Sequence, residues 1–490
     1  HTVDVDEIAD GDTPALFALG RPGLGALPGF LGEFQSQLVT TEPGIRNGVL
    51  GLASHYEQQH EHADLMLFES PLTGDLVSRS FAVPKTRDEL TKVGDAMKAS
   101  ADHSCGMQGR HPDYLNRTMA AFGTATAFLN AHLKGGGDNA QAYFERAREN
   151  DLALTHTLIN PQANRAVGPS KQRNPFLAAR IKEESDSGIT VRGARMLATL
   201  PISDEILVFP STVLRNPAED APYAFAFGIP SATPGLKFIC RESLDYDRNS
   251  FDHPLGSRFE ELDAVVIFDD VFVSWERVFI YRDVQACNVA YKQSTAVAHM
   301  AHQVLCKNIA KTEFLLGLVS LMVDSVGIEV FPHVQEKVSE IWVALETVRA
   351  FRRAAEADAT LNEHGMMTPA WAPLDAARNL YPKLYPRMIE IVQQLGASGL
   401  VAMPTLADIE GPLASEISEY YQSARQEAKE RIALYRLAWD TALSAFGSRQ
   451  VLYERFFFGD PVRLATSTFN THDRTEYMDR VRAFIEQGQQ

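Results

Sequence analysis

The chain has 490 residues, 45% hydrophobic and 22% charged, the balance of an ordinary globular protein with about three domain-sized units and a large core. A formal charge of −17 excludes nucleic acid as a ligand, because no basic stripe offsets it, and acts mainly through solubility. Four scattered cysteines (Cys105, Cys240, Cys287, Cys306) make no CxxC pair or disulfide framework, and the longest apolar run, 314–323, is too short to cross a bilayer.

Residues 1–48 are rich in glycine and proline and read as an irregular arm with one hairpin. Within it, Gly23-Leu-Gly-Ala-Leu-Pro-Gly29 fails as a dinucleotide fingerprint: the spacing is wrong, no strand precedes it, and a proline sits where the helix should begin. With no secretory signal ahead of the first domain and no initiator Met, a trimmed cytoplasmic chain is expected. His60-Glu-His62 lacks the H-E-x-x-H spacing and reads as solvated surface, so no metal is expected.

From 86 to 155 the pattern is helical, with Thr86 as a cap before an acidic first turn and a long run over 114–133. The segment 134–138 breaks that run, and a further helix over 140–149 follows. Between 160 and 280 the pattern changes to short alternating runs, at 188–193, 205–209, 223–228, 236–240 and 264–268, which read as an antiparallel barrel or sandwich. From 284 onward the chain is helical again. Val334, Val338, Ile341, Trp342, Leu345 and Val348 keep a helical spacing after Pro332 in a first-turn position.

The chemistry concentrates in two fragments, 103–114 and 155–165. Arg110 and Tyr114 are four apart and share a face if a helix starts near Pro112. An arginine beside a substrate hydroxyl favours its anion, a neutral His156 can take the proton, and a tyrosine can donate to the anion formed. The plainer reading is an Arg110–Asp113 pair at a helix start, a half-buried tyrosine and a satisfied core histidine.

Gly109-Arg-His-Pro-Asp-Tyr114 resembles the G-R-[ST]-P-D-Y motif of the 4-hydroxyphenylacetate 3-hydroxylase family, with His111 in place of the usual small hydroxyl residue. Further matches run in order over about 100–465: Thr155-His-Thr with Asn160-Pro-Gln-Ala-Asn-Arg165, Val191-Arg-Gly-Ala-Arg-Met-Leu-Ala-Thr199, His253-Pro-Leu-Gly-Ser-Arg258, Asp269-Asp-Val-Phe-Val-Ser-Trp-Glu-Arg277, and Ala445-Phe-Gly-Ser-Arg-Gln450 before Gly459-Asp-Pro461. The resemblance implies an acyl-CoA dehydrogenase-like fold. Its units would be an N-terminal α domain (1–155), a central antiparallel β-barrel (156–283) and a C-terminal helical bundle (284–490), assembled as a homotetramer.

It also implies the oxygenase component of a two-component aromatic monooxygenase. Such an enzyme uses reduced FAD, supplied by a separate NAD(P)H-dependent flavin reductase, and O2 to hydroxylate a phenol ortho to its hydroxyl. Carried over by motif, Arg110, Tyr114 and His156 hold the phenolic oxygen, with His156 as base, and Ser211 and Thr212 contact the acidic tail of a substrate such as 4-hydroxyphenylacetate. An ordinary polar turn is the plain reading of that last pair. Flavin contacts fall on His156, Gln162, Ala163, Asn164, Arg165 and Thr199, and on Gly447, Ser448, Arg449 and Gln450. Chlorophenols, nitrophenols and carrier-tethered tyrosyl groups are alternative substrates within the family. Two other readings are an iron–sulfur dehydratase, for which Cys105, His299 and Cys306 supply only three ligands because the fourth position is Gly109, and a non-catalytic relative that kept the fold.

Overall fold

The computed structural model describes residues 43–161, 163–197, 199–210, 212, 214–244 and 248–488. Nearly all of the expected arm, including its hairpin, therefore lies outside the described residues.

Helix α1 (Pro43–Glu61) leads to a small hairpin, Leu67–Glu69 with Leu76–Ser78, and then to α2 (Arg87–His103). Thr86 caps α2 as its sequence suggests, its hydroxyl accepting from the Glu89 amide at 3.2 Å. The chain then turns through Cys105 (φ 53°) and Gly106 (φ 68°). A side chain at Gly106 would lie 2.7 Å from Lys311, so the turn is pressed against the C-terminal half. Pro112 opens α3 (Pro112–Thr124), whose missing N–H costs nothing in a first turn. The run expected to continue to 133 breaks at Ala125 and resumes as a separate short helix, Thr126–His132. The next helix, α4 (Gly136–Glu149), begins four residues before the expected 140, because Gly135 supplies a left-handed entry (φ 84°).

Eight strands make one sheet: β1 (Leu154–Ile159), β2 (Arg180–Ser185), β3 (Gly188–Leu197), β4 (Glu205–Val208), β5 (Phe225–Pro230), β6 (Leu236–Cys240), β7 (Ala264–Ser274) and β8 (Val278–Tyr281). Their order is β8-β5-β4-β1-β3-β7-β6, with β2 paired to β3 alone. Two corrections to the antiparallel barrel follow. No pairing among the described residues joins the two ends, so the sheet is open. One pair, β1 with β4, is parallel, in register from Leu154↔Glu205 to Thr157↔Val208. The reason is topological: β4 runs opposite to β3 but lies across β1 from it, and β1 is itself antiparallel to β3. Alternating residues of these strands (Ile189 and Val191, Phe225 and Phe227, Val266 and Phe268) fill the buried face.

The C-terminal helices pack around α5 (Ala296–Val326), which contains the apolar run 314–323. Against it lie α6 (Pro332–Ala357), α7 (Trp371–Val401) and α8 (Ala428–Ala442), followed by α9 (Ala445–Phe456). In α6, Val334, Ile341, Leu345 and Val348 are buried as their spacing predicts, but Trp342 is 54% exposed. It follows Ile341 directly, a turn of about 100° off the buried stripe. The last helices, α10 (Pro461–Thr471) and α11 (Thr475–Gln487), leave Phe469, Val481 and Phe484 open to solvent. No described helix is long and apolar enough to cross a membrane.

Candidate active site

Strand β1 holds His156 between two threonine anchors. The Thr155 hydroxyl donates to the Thr199 carbonyl and the Thr157 hydroxyl to the Met196 carbonyl, both at 2.6 Å. With both threonines fixed on one face, alternation turns the imidazole to the other. There the start of α3 meets it: a guanidinium N–H of Arg110 (Nη1) donates to His156 Nε2. Nε2 thus carries a lone pair, and the ring proton sits on Nδ1, which is buried without a hydrogen-bond partner. Burial first, and the Arg110 charge second, hold the His156 pKa well below 6.5, so the ring is neutral.

Arg110 is fixed from three further directions. Its backbone N–H donates to Glu261 Oε1 at 3.0 Å, its Nη2 to the Phe457 carbonyl at 3.4 Å, and its guanidinium lies 4.3 Å from the Phe457 ring centroid and 5.1 Å from that of Tyr114. Burial pulls its pKa down, but Tyr114, Tyr453 and Glu261 together outweigh burial, and the net shift is upward. Tyr114, 4% exposed, has its phenol pKa raised by burial against a smaller opposing pull from Arg110. Phe209 and Tyr291 complete an aromatic wall, with ring centroids 5.1 Å from His156 to Phe209 and 5.7 Å from Phe209 to Tyr291. Tyr453 leaves room at Gly109 for hydrogen alone, since a Cβ there would lie 2.2 Å from its ring. That contact accounts for the glycine before Arg110.

The plainer sequence reading is not what forms. The Arg110 side chain turns to His156 rather than to Asp113, and Tyr114 is buried rather than half-buried.

Sequence reasoning missed an ionic frame beneath this trio. Glu261 is buried, and its second oxygen pairs with Arg449, which also holds Asp263 through bonds of 3.0 and 2.7 Å. Asp263 and Glu260 share Arg241 on the other side. Behind α9, the Glu454 carboxylate pairs with both Lys307 and Lys311, and Lys311 also donates to Gln450 Oε1 at 2.9 Å. Burial brings Lys307 down to about 8, against the pull of Glu454. Isolated acidic and basic residues in helices and strands look like surface charge in a sequence, so of this group only Arg449 and Gln450 were named, through the resemblance, and their ionic partners were not.

The other candidate residues divide. Thr199 is buried next to His156's strand, and its hydroxyl has no partner. Gln450 is buried and donates to the Met107 carbonyl at 2.8 Å, and Arg449 reaches Arg110 through Glu261; both therefore join the site, and Gly447 packs in the first turn of the same helix. Ala163, Asn164 and Arg165 form an exposed loop, Thr212 is exposed, and Ser448 is exposed on a cleft of about 350 Å³ beside α7. Gln162 and Ser211 lie outside the described residues. A second cleft, about 360 Å³, lies between α7 and α10 and holds none of the predicted residues. Cys105, His299 and Cys306 do not come together as ligands. Cys105 packs against Met107 and Phe446, Cys306 against Val93 and Met97, and His299 accepts from Arg117 at 3.1 Å.

Comparison with known proteins bears on this geometry. Residues 32–280 match the family described as 4-hydroxyphenylacetate 3-hydroxylase N terminal, and 287–486 match its C terminal counterpart. The chain is 47% identical over 451 residues to a 4-hydroxyphenylacetate 3-monooxygenase oxygenase component of Thermus thermophilus, covering 92% of each. A crystal structure of an oxygenase component of that monooxygenase, complexed with FAD and 4-hydroxyphenylacetate, superposes with a TM-score of 0.88 at 47% identity, covering 92% of this chain and 93% of that one. An archaeal 4-hydroxybutyryl-CoA dehydratase from N. maritimus shares the fold alone, with a TM-score of 0.80 at 17% identity over 91% of this chain and 89% of that one. The fold is thus the one these two proteins share, with helical units on either side of a central sheet in the expected order.

Proposed function

The chain belongs to the 4-hydroxyphenylacetate 3-hydroxylase family, and on that premise we propose that it is the oxygenase component of a two-component 4-hydroxyphenylacetate 3-monooxygenase. A separate flavin reductase supplies reduced FAD, and O2 is the co-substrate. The observation that carries the reading is the buried contact between a charged arginine and a neutral imidazole inside an aromatic wall. A phenolic hydroxyl is the guest that uses all three features.

The residues fit the flavin. The orphaned Thr199 hydroxyl and the exposed side chains of Asn164 and Arg165, in the loop after the strand of His156, would offer donors and acceptors, while Arg449 and Gln450 of α9, held by Glu261, Asp263, Lys311 and the Met107 carbonyl, would line the site. When bound, reduced FAD activates O2 and supplies the oxygen atom that enters the ring. What this chain's own residues contribute is the state of the phenol. Its oxygen enters between Arg110 and His156, takes the guanidinium donor, and passes its proton to His156 Nε2, the nitrogen that now carries the lone pair. The guanidinium charge that depresses the His156 pKa is then met by a phenolate, so the obstacle to protonating His156 falls as the anion forms. Tyr114 donates to the same oxygen. The ring becomes electron-rich at the carbon ortho to the hydroxyl, and the packing of Phe457 over Arg110 and Tyr114 keeps water out. Thr212 and its neighbour Ser211 are assigned to the carboxylate tail.

We assign the assembly as a homotetramer, supported by the apolar face of α10 and α11, and the setting as cytoplasmic, which suits four unpaired thiols. Substitution His156→Ala tests the function. With chemically reduced FAD and 4-hydroxyphenylacetate, flavin oxidation should continue while hydroxylated product gives way to hydrogen peroxide. Wild-type coupling in this variant would sink the assignment.

A further inference from the structure

At the start of α3, beside Arg110 and Tyr114 in the chain, three buried groups of a different kind converge. His55 of α1, and His111 and Asp113 at the start of α3, each offer one ligand atom, and these atoms all lie within 4.8 Å of one another. His111 Nδ1 is 3.5 Å from Asp113 Oδ2, close to the ligand–ligand edge of about 3.4 Å that tetrahedral bonds of about 2.1 Å require. The two imidazole rings stand perpendicular with centroids 3.7 Å apart. Ser100 of α2 completes the group: its hydroxyl lies 3.4 Å from His55 Nδ1 and 3.2 Å from His111 Nδ1. His55, His111, Asp113 and Ser100 are each at most 2% exposed.

Hydrogen bonding alone serves this group poorly. One serine proton faces three imidazole nitrogens, His55 Nδ1 and, at 3.2 and 3.5 Å, both nitrogens of His111, and the Asp113 carboxylate is reached by His111 only at a long 3.5 Å. The Gln59 amide nitrogen lies 2.7 Å from His55 Nε2, while its buried oxygen has no partner. Turning that amide over lets Oε1 accept the Nε2 proton, which leaves a bare Nδ1 lone pair aimed at His111 and Ser100. A carbonyl that fixes the tautomer through the far nitrogen is what a metal-bound histidine ordinarily has.

We infer that His55, His111 and Asp113, with the Ser100 hydroxyl in the fourth position, form a structural site for a divalent first-row transition metal, with Zn2+ the best match to this nitrogen–oxygen donor set. The ion would tie α1 and α2 to the turn that carries Arg110 and Tyr114, since His111 and Asp113 are their immediate neighbours in the chain. The exposed His60-Glu-His62 tract takes no part.

The test uses the full chain expressed in minimal medium supplemented with zinc or, separately, with cobalt, which loads the buried site during folding. Elemental analysis should find one zinc per chain, and the cobalt form should show the visible absorption of a tetrahedral ion. His111→Ser, which restores the motif's usual small hydroxyl residue, and the near-isosteric Asp113→Asn should each weaken metal retention by more than about 100-fold. Their far-UV circular dichroism separates loss of the ion from loss of the fold, and His60→Ala with His62→Ala should keep the metal. Failure of the native chain to retain stoichiometric metal in either medium would overturn the inference, as would folded His111→Ser and Asp113→Asn chains that both keep it.

Discussion

Glu261 is the residue whose replacement most directly tests how the trio is held. One of its oxygens accepts the Arg110 amide and the other pairs with Arg449, so the carboxylate joins the phenol-binding arginine to the proposed flavin segment. Glu261→Gln keeps the shape but offers one acceptor where two are used, and its new NH2 group meets either the Arg110 amide or the Arg449 guanidinium, both donors. One of the two contacts must fail. Breaking a buried ion pair outright costs about 3–5 kcal/mol, but Arg449 keeps Asp263, so about 2 kcal/mol is the expected loss of stability. The effect on chemistry should be larger in proportion. An Arg110 displaced by a fraction of an ångström no longer faces both His156 and the phenolic oxygen, and kcat/KM for hydroxylation should fall about 10- to 100-fold. The assay mixes anaerobically reduced FAD, enzyme and 4-hydroxyphenylacetate with oxygenated buffer and measures catechol product against hydrogen peroxide. A variant that melts lower yet hydroxylates with native coupling would refute the reasoning and leave Glu261 a purely structural residue.

Three further outcomes are expected. Arg110→Lys keeps the charge but loses the fork that reaches His156 and the Phe457 carbonyl together, so hydroxylation should fall about 100-fold while flavin oxidation persists; near-native product yield in a product assay would contradict the assignment. His156 and His299 are buried with pKa values held well below 6.5, mainly by desolvation, whereas the unfolded chain binds their protons near that value. Their contribution to stability is therefore complete above pH 6.5 and is lost as pH falls, by about 1.4 kcal/mol per pH unit for each, and melting temperatures equal at pH 7.5 and 5.5 would contradict it. Val481→Asp with Phe484→Asp places two charges on the exposed face of α11 and should dissociate the proposed tetramer in sedimentation velocity; an unchanged sedimentation coefficient would rule that face out as the proposed interface.

Local signals in the sequence carried far. Thr86 and Pro112 mark helix starts because a cap and a first-turn proline act within four residues, and the strands at 188–193, 205–209 and 236–240 follow from alternation. The trio was legible because Arg110 and Tyr114 share a motif and His156 is the neutral base that their chemistry asks for, and the resemblance then pointed to the same three residues. What escaped depends on partners distant in the chain. The parallel β1–β4 pair is decided by where β3 lies, and the open sheet by its two unjoined ends, neither of which leaves a mark on alternation. Trp342 fits the apolar spacing yet faces out, since spacing does not say how wide the buried stripe is. Glu261 and Glu454 find their cations 188 and 147 residues away. His55 and His111 meet because α1 folds back on the turn before α3, while the tract that looked metal-like, His60-Glu-His62, stays at the surface.

The ionic frame under the trio has an electrostatic consequence for the guest it receives. Five cations, Arg110, Arg241, Arg449, Lys307 and Lys311, are threaded among four carboxylates, Glu260, Glu261, Asp263 and Glu454. Lys307 and Lys311 share Glu454, and Arg241 and Arg449 bind Glu260, Asp263 and Glu261, so the local imbalance is at Arg110, whose guanidinium faces His156 and the Phe457 carbonyl rather than a carboxylate. A neutral phenol leaves that imbalance as it is, while a phenolate abolishes it. The frame therefore favours ionised over neutral phenols at the same site. Substrates with more acidic hydroxyls should lean less on His156 for their ionisation, so the cost of losing that histidine should shrink as the substrate's own pKa falls.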